Sequence, residues 1–418
     1  MGAAEGNAVP HSPNQVIISR RNFGTLALAA GVTLKGARAQ GTKPLTIGVL
    51  NDSSATTSDL SGRGAVTSAE LAIADFGPTV LARPIVLLKA DHQAKADLGV
   101  SLARQWFDGD VAAIFDVGIT TVALGVQQLA RDKNRIVVFT STGTVDLTRA
   151  QCSPNGIHWT YDSHSVAVGA ARANMESGAK RWFFLTVDYA YGRSLEAEAT
   201  EFILAHGGTV VGSSRHAIET KDFSSELLKA RSSGAELIGL ATPTPLIANI
   251  VKQASEFGVG SGDNKQRLAP IGLFSNDVKG IGLPLAQGLL TTEPFYWDQN
   301  DVTRAFSKRF YEREQKMPNS LQASVYGAVT HYLRAVQAAG TDETASVVAA
   351  MKAAPINDFM THDGRIRADG RVERELFVFR VKTPEQSHSP WDIYQQITRI
   401  PGNEAFSPPS PACSLNRA

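Results

Sequence analysis

The sequence predicts an α/β protein of two doubly wound, Rossmann-like lobes, and three observations predict it. From residue 44 onward, short apolar runs alternate with segments of helical period. The alternation occurs as two successive sets, separated by a stretch rich in turn residues. The chain has 418 residues, 43% hydrophobic and 19% charged, which is long and apolar enough to bury two cores. Apolar runs bounded by helical segments are the pattern of parallel strands covered by helices on both faces.

The chain opens with a segment outside this pattern. Residues 18 to 40, ISRRNFGTLALAAGVTLKGARAQ, place Arg20 and Arg21 ahead of a mildly apolar stretch and then the small-x-small site Ala37-Arg38-Ala39. This predicts an export signal over residues 1–39, cleaved after Ala39. The apolar stretch, Phe23 to Leu34, is too short to cross a hydrocarbon layer of ~30 Å at ~1.5 Å per residue. Ser19-Arg20-Arg21-Asn22-Phe23 resembles the twin-arginine signal, with Gly24-Thr25 where that pattern usually continues with Leu and Lys. Net charge is +1, but Arg20, Arg21, Lys35 and Arg38 against Glu5 give the signal +3, so the mature body carries −2. That balance offers nothing to nucleic acid. No later stretch is long and apolar enough to span a membrane, and no Cys follows the cleavage site to take a lipid. The expected product is periplasmic, soluble and monomeric.

The first set of strands is read at residues 45 to 50 (LTIGVL), 84 to 89 (PIVLLK), 111 to 116 (VAAIFD) and 136 to 140 (IVVFT). Helices are predicted near 64 to 76, 96 to 107 and 120 to 132; in the first of them Val66, Ala69, Ile73 and Phe76 form one apolar face. Residues 152 to 165 (CSPNGIHWTYDSHS) read as an interlobe crossing. The second set places strands at 182 to 187, 209 to 213, 235 to 240, 268 to 273 and 288 to 291. Helices near 191 to 206, 222 to 232, 244 to 257 and 277 to 287 alternate with them. Long helices at 301 to 316 and 320 to 340, then strands at 375 to 381 and 391 to 399, return across both lobes. This divides the chain into a first lobe of 44–160 plus about 300–365 and a second of 161–299 plus about 366–400. An irregular, proline-rich tail covers 401–418.

Cys152 and Cys413 are too few for a disulfide scaffold or a four-cysteine zinc site. In an oxidising compartment they predict one bridge docking the tail; the alternative is two unrelated thiols. Catalytic and cofactor motifs fail. Ser61-Gly62-Arg63-Gly64 has Thr67 where a dinucleotide fingerprint needs its third glycine. There is no phosphate loop, no G-x-S-x-G elbow and no H-E-x-x-H helix, and His158, His164, His331 and His362 lack metal-ligand spacing. The expectation is a protein without cofactor, metal or catalytic activity.

Folds of this type bind ligands beyond the carboxyl ends of their strands. Four segments fall there: the loop Asn51 to Thr57 with Ser53 and Ser54, Gly118-Ile119-Thr120-Thr121 at a helix start, Thr140-Ser141-Thr142, and Asp188-Tyr189-Ala190-Tyr191-Gly192. Hydroxyls and free N–H groups at a helix start suit a carboxylate. An ordinary N-cap is the competing reading of the Thr pair, and packing between lobes that of the tyrosines.

On five segments the chain from about 44 to 400 resembles the substrate-binding proteins of branched-chain amino-acid type ABC transporters, of periplasmic binding fold type I. They are PLTIGVLNDSSATTSDLSGRGAVTSAELAIADFG, CSPNGIHWTYDSHSVA, DYAYGRSLEAEA, TEPFYWDQND and LQASVYGAVTHYLRAVQAAG. The resemblance implies a Venus-flytrap protein with three crossings, which captures a small carboxylate and presents it to a permease in the inner membrane. It maps the carboxylate contacts to Thr120 and Thr121, the adjoining strand end to Thr140, Ser141 and Thr142, and an aromatic contact to Tyr161. Second-lobe contacts fall on Tyr189 or Tyr191, Thr242, and Asn276 or Asp277. Family members that take amino acids set an acid against the ammonium; Asp277, Asp188 and Asp162 are the candidates. The aromatics Trp159, Tyr161, Tyr189, Tyr191, Phe295, Tyr296 and Trp297, with the CSPNG and FYWD pattern, resemble a subfamily for benzoate-like or phenylpropanoid acids. Amino acids remain the broader family expectation. A periplasmic sensor and, more remotely, an exported enzyme are the rival readings.

Overall fold

The computed structural model describes residues 43–55, 57–259 and 266–417. The expected signal and its cleavage site lie outside the described residues.

The first lobe is built on a six-stranded sheet of β1 (Leu45–Asn51), β2 (Thr79–Val80), β3 (Arg83–Asp91), β4 (Ala113–Asp116), β5 (Ile136–Phe139) and β6 (Gly156–His158), in the order β2-β3-β1-β4-β5-β6. All pairs are parallel except the short β2–β3 hairpin. Helices α1 (Gly62–Phe76), α2 (Ala96–Asp108) and α3 (Thr120–Asp132) connect the strands. Successive side chains leave a strand on opposite faces, so Leu45, Ile47 and Val49 pack with α1 while Leu50, Ile114 and Val137 pack with α2 and α3. A Cβ at Gly48 would lie 2.3 Å from the Trp106 ring, so a side chain there would drive α2 off the sheet. Within the stretch expected to be a bare crossing, residues 156–158 form β6, because Val137 to Phe139 still offer an open edge. The crossing itself is the short segment that follows.

The second lobe holds α4 (Ser163–Met175), β7 (Arg181–Val187), α5 (Ala190–Ala205), β8 (Thr209–His216), α6 (Ser224–Ser232), β9 (Leu237–Ala241), α7 (Thr244–Glu256), β10 (Arg267–Pro270), α8 (Ser275–Ile281) and α9 (Leu283–Ala286). Its sheet runs β10-β9-β7-β8, all parallel. Phe183, Leu185, Ile238 and Leu240 face α6 and α7, and Trp182, Phe184 and Leu237 face α4 and α5. Helix α4 had no clear apolar stripe to announce it, since nearly all of its residues are buried. Gly169 lets it lie against Thr292, whose side chain a Cβ there would meet at 2.6 Å. The single helix expected at 277 to 287 is two, broken at Gly282, whose φ of 87° ends α8.

Residues 288 to 291, expected as a fifth strand of this sheet, contribute instead to β11 (Leu290–Glu293) of a separate antiparallel sheet. After it come α10 (Asp301–Glu314), α11 (Ser320–Ala339), α12 (Thr344–Ala353), the small hairpin β12 (Arg365–Ile366) and β13 (Val372–Glu373), then β14 (Leu376–Val381), β15 (Tyr394–Ile400) and α13 (Gly402–Ala405). The antiparallel sheet runs β11-β14-β15. Val325, Val329, Tyr332 and Val336 of α11 fill the first-lobe core, whereas Phe379 and Tyr394 join that of the second. The chain therefore revisits both lobes after leaving them. Cys152 and Cys413 are joined, with Cα atoms 5.6 Å apart, and fasten the tail beside β6. Arg172–Glu404 and an Arg367 hydrogen bond to the Ser407 carbonyl hold the tail along the way.

Candidate ligand cleft

Strand order fixes where a cleft can form. In the first sheet the direction of winding reverses between β1 and β4, and in the second between β7 and β9. Loops leaving neighbouring strands at such a point diverge to opposite faces and leave a crevice between them. A cavity of about 310 Å³ lies where the two crevices meet. After β1 come Thr57, Leu60 and Ser61; after β4, Ile119, Thr120 and Thr121; after β5, Ser141, Thr142 and Gly143. Tyr161 comes from the first crossing. Facing them are Tyr189, Ala190 and Tyr191 after β7, Pro243, Thr244 and Pro245 after β9, and Phe274 after β10. Among the described residues, the lining contains no Asp, Glu, Lys, Arg or His.

The first-lobe wall is organised by Asp116, fully buried at the end of β4. Its carboxylate accepts hydrogen bonds from Ser61, from Thr140 at 2.8 Å and from Ser141. Asp116, Val117 and Ile119 all have positive φ, 80°, 49° and 62°, a conformation that L residues with branched side chains adopt only under constraint. This strained turn delivers the chain into α3. Thr142 donates to the Val117 carbonyl, and its own carbonyl lies 2.7 Å from His158 Nε2. A carbonyl only accepts, so Nε2 carries the proton; desolvation pushes the His158 pKa down to about 3, keeping the ring neutral.

The helices α1, α3, α5 and α7 begin on the cavity, and none has a side-chain cap. By contrast α4, α10, α11 and α12 are capped by Asp162, Asn300, Asn319 and Glu343. Helices α2, α6, α8, α9 and α13 also start without a side-chain cap, so the feature is not confined to the cavity, where four such starts meet. Each start carries a partial positive charge, and α1, α3 and α5 leave N–H groups at the first turn, whereas in α7 Pro245 has none and the Leu246 N–H bonds the Pro243 carbonyl.

The opposite wall is made of rings. Tyr161 meets Phe274 edge-on with centroids 5.5 Å apart, and Tyr189 stacks beside Tyr191 at 6.3 Å. Gly143 is what admits them: a Cβ there would lie 2.9 Å from both Tyr161 and Tyr191. Burial raises the pKa of all three phenols, leaving them neutral at physiological pH.

Of the residues singled out by sequence, Thr120, Thr121, Ser141, Thr142, Tyr161, Tyr189 and Tyr191 line the cavity. Thr140 stands behind it on Asp116. Ser53 and Ser54 lie outside the lining: Ser53 bonds Asn51 and Asp91, and the Ser54 N–H bonds Asp52. Thr242 is buried with its hydroxyl unpartnered, next to the lining rather than in it. Asn276 accepts from Asn319. Of the three acids, Asp188 pairs with Arg193 at the surface and Asp162 with Arg371 in the interior. Half-buried Asp277 accepts the Phe274 N–H, and desolvation pushes its pKa up to about 7. Of the expected aromatic cluster, Trp159 is core, Phe295 packs with Phe306 and Phe359, and Tyr296 and Trp297 bond the Trp391 carbonyl. Pro243, Thr244, Pro245 and Phe274 were missed; the loops after β9 and β10 were the signal that would have found them.

Two doubly wound lobes that meet strand-end to strand-end around a cavity define a two-lobed binding protein of the type I periplasmic fold. The chain belongs to the periplasmic binding protein family, whose sequence model matches residues 44–387. A periplasmic binding protein from Burkholderia mallei is 39% identical, with a TM-score of 0.83 over 87% of this chain and 96% of that one. A branched-chain amino-acid ABC transporter periplasmic ligand-binding protein from Burkholderia xenovorans is also 39% identical, with a TM-score of 0.82 over 87% and 97%. The leucine-, isoleucine-, valine-, threonine- and alanine-binding protein of Pseudomonas aeruginosa is 23% identical over 38% of this chain. The match spans 41% of that relative's length. Among the described residues no helix is long and apolar enough to cross a membrane.

Proposed function

We propose that this chain captures a small aromatic carboxylate in the cavity by closing its lobes, and presents the closed form to an ABC permease in the inner membrane. One observation carries the ligand class: the lining offers rings, hydroxyls and bare helix starts, but no ionised side chain. A carboxylate is supported by the helix starts and by Thr120, Thr121, Ser141 and Thr142. An ammonium is not, because a desolvated cation needs an acid against it and the lining has none among the described residues. A flat ring is supported by Tyr161, Tyr189, Tyr191 and Phe274. Contacts to both lobes exist only when they are together, so ligand shifts the population toward the closed state.

The second reading is a branched-chain amino acid, favoured by what the Burkholderia xenovorans and Pseudomonas aeruginosa relatives are named for. Asp277, behind Phe274, is then the group that meets the ammonium. A thermal-shift screen of the mature protein decides between them, since a ligand bound only by the native state raises the melting temperature. Benzoate and its hydroxylated or phenylpropanoid relatives raise it under the first reading. A shift with leucine, isoleucine or valine alone replaces it by the second.

The protein is exported by the twin-arginine route, cleaved after Ala39 and active as a monomer, with lobes of 44–160 plus about 300–365 and 161–299 plus about 366–400. Support comes from Arg20-Arg21 and Ala37-Arg38-Ala39. The intact mass of the periplasmic protein checks the cleavage, and its loss from the periplasm in an Arg20→Lys/Arg21→Lys precursor checks the route.

A further inference from the structure

We propose that Arg149 and Glu198 form a clasp across the cleft that holds the closed state and sets how long a ligand stays. The inference rests on the closure mechanism above but concerns residues outside the ligand lining. Arg149 follows β5 and the short turn at Val145–Leu147, in the first lobe. Its N–H bonds the carbonyls of Val145 and Asp146. Glu198 lies on α5 of the second lobe. The two meet as a fork, Nη1 to Oε1 at 2.6 Å and Nη2 to Oε2 at 3.2 Å. From its own lobe, His164 Nδ1 holds Glu198 Oε2 at 2.6 Å, aiming the carboxylate across the gap.

Position separates this pair from an ordinary surface ion pair. The Glu198 side chain is 8% exposed and that of Arg149 30%. Both line a chamber of about 240 Å³ that shares Thr120, Ala190 and Tyr191 with the ligand cavity. Arg149 thus borders the chamber while keeping part of its side chain in solvent. Opening the lobes strips Glu198 of its cation and leaves it with His164. A two-point charged bond with a desolvated acid strengthens only when the lobes come together, so it stabilises one state of the hinge. Such pairs act mainly on dissociation.

The test uses the mature chain with benzoate and leucine as probes, following tyrosine fluorescence by stopped flow. Glu198→Gln and Arg149→Met are each expected to speed dissociation about tenfold, with little change in association and with ligand-free melting temperatures close to wild type. The double variant is expected to match the singles, because either change already breaks the pair. Dissociation at the wild-type rate in both single variants overturns the clasp. If wild type takes up neither probe, the ligand reading fails separately, and the clasp is read from small-angle scattering of the ligand-free protein. A more open Glu198→Gln then supports it, and an unchanged curve overturns it.

Discussion

The two walls of the cavity are built on opposite principles. The first-lobe wall is rigid and polar: Ser61, Thr140 and Ser141 all donate to buried Asp116, and a strained turn fixes the start of α3. The second-lobe wall is mainly apolar, with Phe274 buried and Tyr189 still 38% exposed. The difference assigns orientation to the first wall and most of the contact area to the second. Under the proposed function, a pre-set polar wall spares the ligand the cost of ordering it, and the rings supply the apolar contact.

Asp116→Ala leaves three hydroxyls without their acceptor and should cost about 2–4 kcal/mol of stability, read by urea unfolding, with ligand affinity lost in the protein that remains folded. A small cost would mean the first wall is not held by this carboxylate.

Outside the cavity lining, in β11, Glu293 is fully buried, accepts from Ser320, and has its pKa pushed up to about 8 by desolvation. A carboxyl raised in the folded state binds protons that the unfolded state has released. Stability therefore falls as pH rises from about 4.5 to about 8. Glu293→Gln removes that dependence. Relative to wild type it should gain about 3 kcal/mol between pH 5 and pH 8, measured by unfolding at both pH values. Parallel pH profiles would show that this carboxyl is ionised throughout.

Tyr191→Ala should weaken aromatic-acid binding by about tenfold or more, through lost ring contact worth about 1.5–2 kcal/mol, with the ligand-free fold intact by circular dichroism. Thr121→Ala should do less, about threefold, the worth of one hydrogen bond. Titration calorimetry with benzoate ranks the two. The reverse order would make the polar wall the main source of affinity.

How much of this was legible in the sequence follows from what each residue needs. The strands of both lobes were readable because LTIGVL and WFFLTV are apolar on both faces, as strands covered on both sides must be. The α3 start was readable because Gly118 breaks the strand and two threonines precede an apolar period. The sheet to which 288 to 291 belong was not, because its partner is Arg380 to Phe377, some ninety residues later, and pattern carries no partner. Asp116 was missed for the same reason. Its role exists only through Ser61, 55 residues before it, and Thr140 and Ser141, which follow it by 24 and 25. The tyrosines at 189 and 191 stand out by their place at a strand end, but Trp159, Tyr296 and Trp297 are grouped with them as aromatics and through the CSPNG and FYWD resemblance; the structure gives those three to the core and to the Trp391 carbonyl.

The bridge from Cys152 to Cys413 spans 261 residues and so makes a covalent ring that contains the whole of the second lobe. A protease that nicks any loop inside that ring opens the circle without releasing a fragment: the nicked chain keeps its mass on a non-reducing gel and falls into pieces only when a thiol is added.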